Sequence, residues 1–274
     1  MELAPSAAGL ALMALAAGII GYSKTALGGL AVIAVAIFAS VLPAKESTAA
    51  ILAILIVGDV IACWHYRHDA DWSLIKRLLP AVVPGLVVGA FFLGAVDDST
   101  LRRTIGGVLL GLVLLQLWVK WRNDADTAST VHERRAAAWG AGSGVGFATM
   151  TANAAGSVMT LYLSASGIDK RRFVGTNAWF FLIVNLAKVP FSIALGLMHP
   201  VDAVRAVVLA PVVLIGGLLG YATVTRISQR RFDLAVLAAS ALAAGALLLD
   251  CTDHGSPDFV RGVSREGAAV RSTA

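Results

Sequence analysis

Gly21-Tyr22-Ser23-Lys24-Thr25-Ala26-Leu27-Gly28-Gly29 interrupts an apolar run that extends from about Leu10 to Leu42. A lysine halfway along such a run is costly in hydrocarbon and persists only where it faces protein, water or a ligand. Glycines on both sides allow the helix to break, and a broken helix leaves backbone N–H groups beside the cation. A cationic side chain next to unpaired amides is an anion site. The run itself, residues 7–42, is too long for one straight span and short for two. A break at 22–29 predicts two half-length helices, arranged as a re-entrant hairpin or as two short spans.

The rest of the chain agrees with a membrane setting. Of 274 residues, 58% are hydrophobic and 14% charged, well below the roughly 25% charge of soluble domains. Several other apolar stretches approach the ~20 residues that cross a bilayer. The net charge of +5 comes from short basic clusters between these stretches, a topogenic pattern. No aromatic residues interleave on a basic face, so nucleic acid is excluded as a partner. Met1-Glu2-Leu3-Ala4 lacks the basic start of a cleaved secretory signal. Cys63 and Cys251 lie far apart and are read as free thiols. His65 and His68, beside Asp69 and Asp71, fall in an exposed loop that promises no metal geometry. No metal or other cofactor is expected. Trp64, Trp118, Trp121 and Trp139 stand at span ends, as in an interfacial belt.

The plan is repeated. Residues 1–125 form a first unit, 126–135 a polar central loop, 136–250 a second unit and 251–274 a polar tail. A shift of 126–127 residues places Gly18 on Gly144, Asp59 on Asn185, Pro84 on Pro211 and Gly89 on Gly216. The second interrupted run, residues 136–166, coincides with the first. Helices are predicted over 47–64, 78–96, 104–119, 173–197, 203–224 and a last stretch to Leu249, with a polar loop over 65–77. If each interrupted run enters and leaves on one side, the basic residues split 13 to 7 between the two faces. If each run crosses once, the split is 11 to 9. The positive-inside rule favours the sharper asymmetry. The expected fold is therefore an all-α polytopic membrane protein of two inverted-topology repeats. Each repeat has an interrupted helix pair followed by about three spans, with the central loop cytoplasmic in a plasma-membrane protein. Gly107–Gly111 and Gly216–Gly220 are read as close helix contacts.

Inverted repeats built on broken helices place their ligand near the midplane, where the breaks meet. Few polar residues lie at that depth. The candidates are Tyr22, Lys24 and Thr25 from the first unit, and Asn153, Thr176, Asn177, Asn185 and Lys188 from the second. Asp59 is either a coupling residue or an ion-pair partner for Lys24. The asparagines are read either as interhelical hydrogen bonds or as substrate contacts. One lysine comes from each unit, as expected if both converge on one central anion. No nucleophile has a partnered base, so a membrane-embedded enzyme is a poor reading.

These residues resemble those of the TauE/SafE family of sulfite and organosulfonate exporters. The resemblance is carried by Gly21-Tyr22-Ser23-Lys24 with Gly28-Gly29, Leu42-Pro43, Asp59, Tyr66-Arg67 with Asp71-Trp72, and Pro84-Gly85 with Gly89. In the second unit it rests on Gly175-Thr176-Asn177, Asn185, Lys188 with Pro190, and Gly216-Gly217. It implies export of sulfite, sulfoacetate or a related small anion. The expected mechanism is alternating access: Lys24 and Lys188 neutralise the headgroup, Asn153, Thr176 and Asn177 add hydrogen bonds, and Tyr22 closes one side. An anion channel, or a cation transporter using Asp59, are the alternatives. The partners expected are a small anion and the lipid bilayer, and the apolar faces permit a homodimer without requiring one.

Overall fold

A computed structural model describes residues 7–26, 30–122, 135–156, 159, 163 and 170–224. Several expectations fall outside these residues: positions 27–29 of the opening motif, most of the central loop, the last span over 225–249 and the polar tail.

The described residues form eight α-helices and no strand: α1 Ala7–Thr25, α2 Ala31–Val41, α3 Ala44–His65, α4 Trp72–Ala95, α5 Asp98–Arg122, α6 Arg135–Ala152, α7 Lys170–Ala194 and α8 Pro200–Val224. Five stretches are long and apolar enough to cross a bilayer: Ala7–Thr25, Ala44–His65, Trp72–Ala95, Arg171–Ala194 and Pro200–Thr223. Their outward faces carry Val88, Phe91, Val207, Val208 and Leu219, all well exposed. That surface suits lipid rather than water.

The helix ends follow from local chemistry. Asp71 caps α4, its side chain accepting from the Ser73 and Leu74 amides at 3.0 and 3.2 Å. The polar loop over 65–77 is therefore shorter than expected: it ends at Asp71, and the helix already runs from Trp72. Asp98, in the first turn of α5, reaches across to the start of α3. Its two oxygens accept from the Ala44 and Lys45 amides at 2.7 and 2.9 Å, placing a carboxylate at a helix N-terminus. Next to it, hydrogen bonds from Ser99 and Thr100 hold the Asp97 carboxyl down to about 2. Gly196, at φ 65°, turns the chain after α7, and Pro200 opens α8.

The first interrupted run departs from expectation. Instead of two half-length helices, α1 is a full 19 residues and α2 only 11. The helix continues through Tyr22–Thr25 because Lys24 finds a partner inside the protein, described below, and Gly21 is held against α8. The chain breaks just after Thr25.

Two crossings dominate the packing: α1 lies along α8, and α4 along α6. Both are close enough to require glycine. A Cβ on Gly21 would sit 1.9 Å from the Val213 carbonyl oxygen, and one on Gly216 would sit 2.1 Å from that of Gly18. In the other crossing, a Cβ on Gly85 would sit 1.9 Å from the Ser143 carbonyl oxygen, and one on Gly146 2.2 Å from that of Val82. Under the 126–127 shift, α1 corresponds to α6 and α4 to α8, so each crossing maps onto the other. In both, the interrupted helix of one half rests on a helix of the other half. The expected contact at Gly216 and Gly220 is present, but nothing lies within 4 Å of a Cβ built on Gly107 or Gly111. Among the described residues, α5 touches α3 and α6 only lightly.

Candidate functional site

The site forms where the two breaks meet. Lys24, in the last turn of α1, extends to Asp59 on α3, with Nζ 2.6 Å from Oδ1. Both side chains are buried, Asp59 completely. The second Asp59 oxygen accepts from the Asn185 amide at 2.7 Å. Phe181 closes over the ammonium, its ring centroid 4.7 Å from Lys24 Nζ, a cation–π contact. A buried carboxylate with both oxygens engaged is the arrangement that makes its desolvation tolerable.

The second break is built on Asn153. Its φ of 49° is the left-handed conformation that asparagine tolerates better than most residues, and it ends α6. Its amide donates to the Thr48 carbonyl at 3.2 Å, tying the break to the start of α3. Its side-chain oxygen accepts from Lys188 Nζ, which also donates to the Thr149 carbonyl at 2.6 Å. Lys188 is thus an ammonium on the carbonyl end of α6, a favourable place for positive charge. It is 1% exposed, so it faces the interior and does not snorkel.

Between these groups lies a cavity of about 20 Å³, room for roughly one water molecule. Lys24, Leu55 and the first residue of α2, Ala31, line one side. Thr149, Asn153 and Gly156 from the second break line another, and Asn177, Phe181 and Asn185 from α7 complete it. Lys188 stands just behind the wall, bonded to two residues that form it.

Most of the residues expected from sequence are brought together: Lys24, Asn153, Asn177 and Asn185 on the wall, with Lys188 and Asp59 directly behind. Three are not. Thr25 donates to the Gly217 carbonyl at 2.7 Å and fastens α1 to α8. Thr176 accepts from the Asp71 amide at 2.8 Å and fixes the start of α4. Tyr22, half-buried, lines an apolar groove formed with α2 and α8 on the outer side of α1. It follows Gly21 on the side of the helix away from Asp59, which is why it does not close the cavity. Tyr22→Phe is accordingly expected to leave transport within about twofold of wild type, as for a surface substitution away from the site; reconstituted flux measures it. Of the amides at the start of α2, that of Ala31 donates to Ser23 Oγ at 3.1 Å.

Phe181 and Leu55 were not expected. Phe181 was nevertheless legible: Asn177, Phe181, Asn185 and Lys188 recur at the spacing of one helix face.

Long apolar helices packed around a small polar cavity define a multi-pass α-helical membrane protein. The family model described as "Sulfite exporter TauE/SafE" matches residues 12–247, and the chain belongs to that family of membrane transporters. No curated protein and no solved structure matches the chain.

Proposed function

We propose that the protein is a carrier, not an enzyme, that exports sulfite or a related small sulfonate such as sulfoacetate across the plasma membrane by alternating access. The observation that carries this reading is the convergence of Lys24 and Lys188, one from each half, on a single cavity between the two breaks. With Lys24, Asp59 and Lys188 all ionised, the cluster carries one net positive charge, which a monoanion neutralises. Lys188 is the ammonium held only by neutral oxygens in this state, and Lys24 is released to the substrate when its bond to Asp59 opens. The cavity is too small for sulfite as it stands, so loading requires the walls to separate. This favours a carrier over an open channel.

Exchange between the two crossings under the internal shift supports two related repeats, residues 1–125 and 136–250, and the 13-to-7 split of basic residues favours their inversion with the central loop cytoplasmic. Halves related in that way rock against each other around a fixed site. The cation-transporter alternative is weakened because Asp59 is already ion-paired with Lys24 and accepts from Asn185.

Sulfite efflux from proteoliposomes tests the reading. The expected result is flux that saturates with sulfite concentration and produces no unitary currents. Unitary currents with unsaturable flux would replace the carrier by a channel, and absence of any sulfite flux would remove the function.

A further inference from the structure

The connection between α3 and α4 is pressed onto the start of α7. Thr176 Oγ1 accepts from the Asp71 amide at 2.8 Å, and Thr176 is fully buried. Gly175 lies so close that a Cβ there would sit 2.9 Å from the Asp69 carbonyl carbon. The rings of Trp72 and Trp179 meet with centroids 5.3 Å apart. Arg171 also pairs with Asp69, but at 3.6 Å and well exposed it holds little. Residues 69–72 belong to the first half of the chain and 171–179 to the second. These contacts therefore join the two units that rock against each other in the transport reading. They stand at the edge of the site. Asn177, next after Thr176, lines the cavity, and Cys63, one turn beyond Asp59 on α3, is buried in one cluster with Ala178.

The corresponding connection in the second half is not pressed onto a helix at the matching position. Under the internal shift, positions 69–70 fall on Gly196, between α7 and α8. Among the described residues, a Cβ on Gly196 meets nothing within 4 Å.

Resting on the transport reading above, we propose that the α3–α4 connection is a gate. Docked on Thr176 and Gly175, it closes the cavity on this side, which is cytoplasmic in the proposed topology, and its release lets the anion pass. Thr176 is then a positioning residue rather than a substrate contact. One hydrogen bond to a backbone amide and one close glycine approach separate without unthreading long side chains, as a contact broken in every cycle requires.

A reversible bridge tests whether the contact has to open. The Cβ position of Gly175 lies 3.1 Å from Asp69 Cβ, within about half an ångström of disulfide range. In a Cys63→Ala/Cys251→Ala background, oxidation of Asp69→Cys/Gly175→Cys is expected to lower sulfite flux from proteoliposomes at least about 10-fold, and reduction to restore it. Full flux with the bridge formed, as checked by mass spectrometry, would overturn the gate. Native Cys63 gives a second reading that needs no transport. In a Cys251→Ser background it is the sole thiol. There, Thr176→Val is expected to speed its reaction with an impermeant methanethiosulfonate about 5-fold or more, from the α3–α4 face only, the effect of one lost hydrogen bond. Thr176→Ser, which keeps the hydroxyl, is expected to stay within about twofold of wild type. An unchanged rate in Thr176→Val, or acceleration from the opposite face, would overturn the gate whether or not the bridged variant folds. Absence of wild-type sulfite flux would instead remove the transport reading, and the sided labelling would still decide the gate.

Discussion

Lys24→Met is expected to destabilise the protein by about 3–5 kcal/mol, because it leaves the Asp59 carboxylate buried with a single neutral donor. The double variant Lys24→Met/Asp59→Leu is expected to regain most of that loss, since an apolar pair of similar volume is often as stable as a buried ion pair. It is not expected to regain transport. Thermal unfolding in detergent and sulfite flux in proteoliposomes measure the two effects separately. A double variant that folds and still exports sulfite at the wild-type rate would show that the pair serves architecture alone. A Lys24→Met protein as stable as wild type would show that Asp59 is not charged in the fold. The contrast matters because, in the proposed mechanism, the two jobs of Lys24 pull against each other: paired with Asp59 in the fold, and unpaired to bind an anion.

The second large effect concerns the crossings. Gly21→Ala and Gly85→Ala each place a Cβ 1.9 Å from a backbone carbonyl oxygen on the facing helix. Backbone on both sides means that no side chain can move away to relieve the clash. Each substitution is expected to cost more than the roughly 1–3 kcal/mol usual for overpacking, enough to abolish recovery of monodisperse protein on size-exclusion chromatography. Gly107→Ala is the matched control, because a Cβ there meets nothing within 4 Å. It is expected to behave as wild type, with a slight gain from helix propensity. Normal yields of Gly85→Ala would mean that α4 and α6 are farther apart than described.

The sequence revealed the polar positions better than their orientation. Lys24, Asp59, Asn185 and Lys188 were legible because each stands alone in apolar surroundings, where an uncompensated polar group is not tolerated. Their convergence was legible from the internal shift, which sets Asp59 and Asn185 at equivalent depths; in the fold these two are hydrogen-bonded. Tyr22 and Thr25 were not separable from Lys24 by position alone. Within one helical turn, neighbours point to different sides, and only the packing partner decides which side is the interior. The length of α1 was misjudged for a related reason. Glycine and lysine argue for a break only when nothing compensates them, and here α8 and Asp59 both do. Glycine spacing gave equal weight to Gly107–Gly111 and Gly216–Gly220, although among the described residues only the second pair meets a facing helix.

The exchange of helices between halves has a consequence for how the chain is made. About 175 residues separate the end of α1 from the start of α8, its principal neighbour. At ~5–20 residues per second, α1 waits roughly 9–35 s on the ribosome's schedule before that surface exists. Asp59, by contrast, emerges within the next 35 residues or so. The nascent segment can therefore neutralise its lysine early, with α3 acting as an escort until translation delivers the permanent neighbour.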